Sequence, residues 1–336
     1  GTMFTSSHRW VSDQSLSFLP TQATTGGVDF TRYFANREWV IQGNGAFSRI
    51  SGEPAAILAL QRNAVHYFQR PDASHLGVDA ARTSLTGHGG TASFGRSSTS
   101  RLRLVNQFHW YSPGFDLNDV GYLRQADLMA NEAFLGWTES APKGIFREYE
   151  IQLGRHDQWD FGGLHTSSST EIEAHAQFLN KWRAGAGVDF RQSVATRALR
   201  GGPALRESDS VEVSAGFSSD SSRRVSFSTE VSREGASDGG SKAWEGSVRF
   251  LIRPSNRMSV SAQANYESGI NDLQYVTTAQ AGGSPRFVLG RIDQKVWDLT
   301  FRVNLAVTPE LTIQYYGSPF IATGRYSAFK RAADTL

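Results

Sequence analysis

A strict two-residue alternation from Thr170 to Arg191 constrains this chain more than any other feature. Even positions run Thr170, Ile172, Ala174, Ala176, Phe178, Asn180, Trp182, Ala184, Ala186, Val188, Phe190, and most are apolar. Odd positions include Glu171, Glu173, His175, Gln177, Lys181, Arg183, Asp189 and Arg191, and most are polar or charged. Successive side chains of a strand point to opposite faces, so this pattern demands extended chain with one apolar and one polar face. The central LNKW (179–182) reads as a tight turn, which makes the stretch a hairpin of two long strands.

The same period recurs along the chain. It appears at Val211 to Phe217, Val225 to Val231, Trp244 to Ile252, Met258 to Tyr266, Trp297 to Leu305 and Leu311 to Tyr315. Earlier, Leu102, Leu104, Phe108 and Trp110 oppose Arg101, Arg103, Gln107 and His109, and Tyr149, Ile151 and Leu153 oppose Glu148, Glu150 and Gln152. Helical periodicity is nearly absent, so the chain reads as all-β.

The connections alternate in length. Short ones are ISGEP (50–54), RSSTS (96–100), ESAPKG (139–144), LNKW, SDSS (219–222), RPSN (253–256) and TPE (308–310). Longer polar links lie between them: QRPDASHLG, SPGFDLNDVGY, HDQWDFGGLHTSSS, RALRGGPALRES, REGASDGGSK and AQAGGSP. Short turns at one end and long loops at the other are the layout of a transmembrane antiparallel up-and-down β-barrel. The count is about fifteen strands, or roughly 22 residues per strand and link, which suits membrane strands of about ten residues. No linker or composition break divides residues 1–336, so they read as a single barrel domain. Neither GTMFTSSHRW nor FKRAADTL reads as a natural end of such a barrel, so the expectation is a domain incomplete at both ends.

Composition removes the rivals one at a time. No stretch approaches about 18 consecutive apolar residues, which excludes a helical membrane span. The chain has no Cys, so disulfide frameworks, thiolate metal sites and Cys nucleophiles are excluded. Lys plus Arg is 34 and Asp plus Glu 32, a balance that carries no electrostatic footprint for nucleic acid. Alternation alone also fits a soluble β protein such as a propeller, with the apolar set as a dry core. Strand length, loop asymmetry and aromatics near strand ends (Trp39, Trp110, Trp137, Trp182, Trp244, Trp297, Tyr315) favour the membrane reading, in which aromatic belts mark the interfaces.

In such a barrel the polar face lines the lumen. The lumen-lining candidates are Arg101, Arg103, Glu148, Glu150, Glu173, His175, Arg183, Asp189, Glu230, Arg249, Asp298 and Arg302. Outer-loop candidates are Asp116, Asn118 and Asp119 in GFDLNDVG, and Arg197, Arg200 and Arg206 in RALRGGPALR. The acidic set offers hard oxygen ligands but lacks the full EF-hand spacing, and an Asx-rich loop bonded to its own backbone is the simpler reading. The arginines could meet lipopolysaccharide phosphates or fold back on an acidic lumen.

Enzyme and cofactor signals are absent. No histidine sits in a nucleophile motif and there is no GxSxG elbow. His175 with Glu173 reads as a hydrogen-bonded lumen pair rather than part of a triad. No HExxH or His-x3-His spacing calls for zinc, and Gly-rich GHGGTASFG (87–95) lacks the Lys-Ser/Thr of a phosphate loop. Its glycines mark bends or close approach. No catalytic residue, metal or cofactor is expected.

Seven blocks resemble one bacterial outer-membrane family, the domain-of-unknown-function 5916 proteins. They are GGVDFTRYF (26–34), LQRNAVHYFQRPDA (60–73), SPGFDLNDVGYLRQAD (112–127), TRALRGGPALR (196–206), LQYVTTA (273–279), LGRIDQKVWDLTFRVNLAVTPELTIQYYGSPF (289–320) and ATGRYSAFKR (322–331), in order and with matching spacing. The resemblance implies an outer-membrane barrel of which this chain is the middle and later part, within a larger even-stranded barrel. It also implies that a carbohydrate-binding-like domain usually precedes the barrel. The family has no established activity to carry over.

Four functions follow as expectations: passage or docking of a solute, with a saccharide as the class the family's extra domain implies; a structural anchor for a surface or periplasmic assembly, with a filled lumen; a membrane-embedded hydrolase; and a soluble β protein. The expected partners are outer-membrane lipid and lipopolysaccharide, with a saccharide or protein besides, and no nucleic acid.

Overall fold

A computed structural model describes residues 1–10, 13–96, 101–117 and 122–332. The turn at 97–100 and the candidates Asn118 and Asp119 lie outside the described residues.

The alternating segments all become strands of one antiparallel sheet. In chain order they are β1 (Thr2–His8), β2 (Gln22–Phe34), β3 (Trp39–Ser51), β4 (Ser84–Arg96), β5 (Leu102–Tyr111), β6 (Leu128–Glu139), β7 (Phe146–Trp159), β8 (His165–Phe178) and β9 (Arg183–Ala195). Then follow β10 (Leu205–Arg206), β11 (Ser210–Ser218), β12 (Val225–Ala236), β13 (Lys242–Ser255), β14 (Met258–Ala281), β15 (Ser284–Ala306), β16 (Thr312–Gly317) and β17 (Phe320–Arg331). Each long strand pairs with its neighbours in sequence, as in a meander. Short β10 lies beside the end of β9, and β11 takes the rest of that edge.

β16 and β17 share one edge of β15: Phe301 faces Gly317 and Asp298 faces Phe320. Pro319 sits between them, and it has no N–H to give the ladder. They are one strand interrupted at Pro319. With that join, and the two-residue β10 set aside, the seventeen assigned strands are fifteen long ones, the number read from the sequence. Among the described residues β1 and β16–β17 are the free edges, and the sheet is not closed.

Two details of the sequence reading are corrected. ISGEP is not a short turn: Ser51 ends β3, and Pro54 opens a nine-residue helix, α1 (Pro54–Arg62), with Pro in its first turn where a missing N–H does no harm. The true short connection before it is 35–38, where Ala35, Asn36 and Arg37 all take positive φ (48°, 54° and 68°) with no Gly or Pro to announce it. HDQWDFGGLHTSSS and AQAGGSP are mostly strand, with only 160–164 and 282–283 as their links. Among the described residues, the other short turns named above fall at one end of the sheet. The links 52–83, 112–127 and 196–204 fall at the other.

These long links fold onto the polar face of β2–β6. Ile57 of α1 packs with Ala23 and Ile50, and Phe115 packs with Leu123 and Ala126. Ala23 faces Ile50 and Ile50 faces Leu85 across the ladder, so the helix covers the polar-face side of these strands at their long-link end. The glycines of GHGGTASFG make room for this layer. A Cβ on Gly87 would meet the backbone N of Phe115 at 2.1 Å, and one on Gly89 would meet the Phe115 ring at 2.7 Å. Gly87→Val is therefore expected to push the 112–117 link off the wall and destabilise it by about 1–3 kcal/mol. Faster protease cleavage between 112 and 127 is the readout; an unchanged rate would refute the contact.

Candidate functional site

The site is built from the polar face of the strands beside and below this layer. Register fixes which side chains share that face. Arg103 lies beside Gly136, Gly136 beside Gln152, Gln152 beside Glu173 and Glu173 beside Gly187. The row continues through Ser214, Ser232 and Glu245 to Glu267. Neighbouring rows carry Glu150, His175 and Glu230, then Glu148, Arg183 and Arg249, and reach Asp298 and Arg302 on β15. Arg101 lies just before β5, and its Nη2 pairs with Glu139 Oε1 at 3.2 Å, so the register does not place it in these rows. The polar-face residues singled out from the sequence, Arg101 apart, thus lie on one common face.

Alternation had found the face but undercounted its acid. Glu171, Glu212, Glu245 and Glu267 join Glu173, Asp189 and Glu230 around a cleft of about 500 Å³, in which Arg191 is the one base of the lining. Arg191 Nη2 donates to Asp189 at 2.8 Å, and its Nη1 lies 3.5 Å from Glu234. His175 Nε2 lies 3.2 Å from Glu173 Oε2, the pair expected from their spacing. Asn265 donates to Asp298 at 2.9 Å, and Arg103 lies 4.2 Å over the Phe134 ring. The missed glutamates were legible in the same alternation; only their convergence was not, because it depends on register across six strands.

The loop candidates scatter. Asp116 is buried: its carboxylate faces His66 Nε2 at 3.0 Å, and its N–H donates to Ser48 Oγ at 3.0 Å. His66 Nδ1 faces the Pro113 carbonyl at 2.8 Å. Arg197 lies over the Tyr67 ring at 4.9 Å, and its Nη1 donates to the Val65 carbonyl. Burial draws its guanidinium below the ordinary Arg range. Arg200 lies over the Tyr275 ring at 4.8 Å, and Arg206 stands in β10 opposite Val194. These three arginines stitch links and strands together rather than form one patch.

The other face is apolar and open to the surroundings. Ile151, Ile172, Val213, Val248, Phe250 and Leu299 are all exposed on it. Aromatic groups mark both of its margins. Trp182, Phe217, Phe227 and Phe250 form a chain of ring contacts at the short-turn end. Trp244, Tyr266 and Trp297 form another at the long-link end, at centroid distances of 5.5 and 4.4 Å. Leu102, beside Trp137, and Trp110 stand at opposite margins of β5, roughly 26 Å apart at ~3.3 Å per residue.

The family model called "Domain of unknown function (DUF5916)" matches residues 42–334. The chain belongs to this family. No curated protein matches it. Among solved structures, a mutant of the ferric enterobactin receptor of Pseudomonas aeruginosa aligns at 7% identity and TM-score 0.33, over 94% of this chain and 66% of that one. This chain therefore spans just under two thirds of that receptor. OccK1 (OpdK) of Pseudomonas aeruginosa aligns at 14% identity and TM-score 0.27, over 96% of this chain and 94% of that one.

Proposed function

We propose that this DUF5916 chain forms most of the wall of an outer-membrane β-barrel, and that the barrel passes a hydrophilic solute with a preference for cations. The two-faced sheet carries the reading. An apolar face with aromatic margins, exposed across strand after strand, is unfavourable in water and suits lipid. The opposite face then lines an aqueous interior, because in lipid every backbone N–H and C=O must pair within the protein and a sheet there must close. Closure pairs the free edges of β1 and β16–β17, with each other or with further strands. The carboxylates on β8–β14 set a negative field along that interior, and such rings favour cations. Outer-membrane lipid and lipopolysaccharide are the surroundings this implies. A saccharide cargo rests only on the domain that usually accompanies the family.

The layer on β2–β6 favours a second reading, a barrel filled at one end that serves as an anchor. A hydrolase reading has less support. Its nearest approach is Ser48, Asp116 and His66, but both His66 nitrogens already face other acceptors and Ser48 Oγ accepts an N–H. No ring nitrogen is left there to take a proton from the serine. Single-channel recording in planar bilayers tests the proposal. Cation-selective steps whose preference falls in the double variant Glu245→Gln, Glu267→Gln support passage. An inserted, folded and silent barrel overturns it in favour of the anchor.

A further inference from the structure

Three links that are distant in sequence bring a charged group together inside the layer. Arg70 and Asp72 come from 52–83, Asp127 from 112–127, and Asp160 from the short link after β7. The three carboxylate side chains are only 4–7% exposed, and so is the Arg70 guanidinium. Arg70 Nη2 donates to Asp72 at 3.1 Å and to Asp160 at 3.2 Å, while its Nη1 stands 3.8 Å from Asp127. His75 Nε2 faces Asp127 Oδ1 at 2.9 Å, and that oxygen also accepts the Phe161 N–H at 3.0 Å.

Charge in this group does not balance. Three buried carboxylates face one guanidinium in direct contact, and Arg197 acts on Asp127 from farther off, so one negative charge is left over while His75 is neutral. Buried charge without a counter-charge is strongly unfavourable. Two atoms of the group are buried without a hydrogen-bond partner, Arg70 Nε and one carboxylate oxygen. Asp72 enters the group through Oδ2 on Arg70, and its Oδ1 is buried with no hydrogen-bond partner. A buried carboxylate oxygen with unused lone pairs is what a cation takes up. One donor atom from each of His75, Asp127 and Asp160 also lies within 4.8 Å of the others. Ligand atoms about 2.0–2.2 Å from one ion stand at most about 4.4 Å apart, so side-chain shifts of a few tenths of an ångström close these three on a single ion.

We propose that His75, Asp127 and Asp160, supported by Asp72 and Arg70, form a site for a first-row divalent cation of the zinc class. One imidazole and two carboxylates suit such an ion better than Ca²⁺, which prefers an all-oxygen shell. Arg70 holds the outer oxygens of Asp72 and Asp160 and so orients them. The bound ion supplies the missing positive charge and ties together the three links that build the layer.

Co²⁺ titration of the detergent-extracted protein, followed by its visible d–d absorption, tests the site. Tetrahedral-type bands that Zn²⁺ displaces are expected in the wild type. They should vanish in His75→Gln and in Asp160→Asn, and Asp72→Asn should weaken binding about 10–100-fold. Bands that are absent from the wild type, or that persist in both ligand variants, overturn the proposal. Should either variant fail to fold, judged by its mobility on unheated gels, the wild type decides. Chelation should then speed tryptic cleavage after Arg124 and Zn²⁺ should restore protection; cleavage indifferent to both rejects the site.

Discussion

Val248→Arg is expected to destabilise the membrane-folded protein by about 2–4 kcal/mol, the penalty for Arg near the middle of a lipid-facing strand. Val248 stands on the apolar face of β13, 41% exposed, with Thr229 and Ala264 beside it. Trp244 lies toward one margin and Phe250 and Ile252 toward the other, so the substituted charge has no short route to water. Ser247 is one residue away on the opposite face, between Glu230 and Asn265. Ser247→Arg places the same side chain beside acid and is expected to be near neutral. Denaturant titrations of both variants, refolded into phospholipid vesicles, give the comparison. The difference between the variants is the informative quantity, because the introduced side chain is the same in both. Equal effects would remove the lipid assignment of the apolar face.

Phe115→Ala is expected to weaken the layer on the polar face by about 3–5 kcal/mol, the usual range for truncating a buried aromatic. Phe115 is 1% exposed, packs with Leu123 and Ala126, and stacks on Tyr111 at 5.9 Å. Its backbone N–H closes the 112–115 turn on the Ser112 carbonyl at 2.9 Å. The strands do not depend on this contact, since their ladders and their apolar face are separate from it. The variant should therefore insert normally while the 112–127 link becomes protease-sensitive. Where the layer limits passage, unitary conductance should rise as well. Unchanged proteolysis would show that the link is held by something other than this packing.

Much of the fold was legible because one physical rule, the two-residue period, repeats from strand to strand. Trp244, Gly246, Val248, Phe250 and Ile252 could be assigned to one face with no knowledge of their neighbours, and the ladder agrees. The tight turn at LNKW was legible for the same local reason, and Lys181 takes the positive φ of 67° that such a turn needs. The failures are also physical. Helix α1 is only nine residues long and its apolar run AAILAL shows no clear period at that length. The turn at 35–38 uses ordinary residues at positive φ, where composition gives no warning. Pairings such as Arg70 with Asp160, and His66 with Asp116, bring together residues 90 and 50 positions apart through links that have no period at all. The glycines of 87–95 fall between: close approach was foreseeable, but not that Phe115 would be what approaches.

A cysteine scan along β13 tests the central claim most directly. The chain has no native cysteine, so each introduced thiol is the only one present. Cysteines would be placed singly from 243 to 252 in protein folded into lipid vesicles and labelled with an environment-sensitive fluorophore. The account predicts a two-residue period. Labels at 244, 246, 248, 250 and 252 should be quenched by lipid-borne nitroxide and ignore a water-soluble quencher; labels at 245, 247 and 249 should do the reverse. Water-soluble quenching at every position would contradict a lipid-facing wall and return the sheet to water.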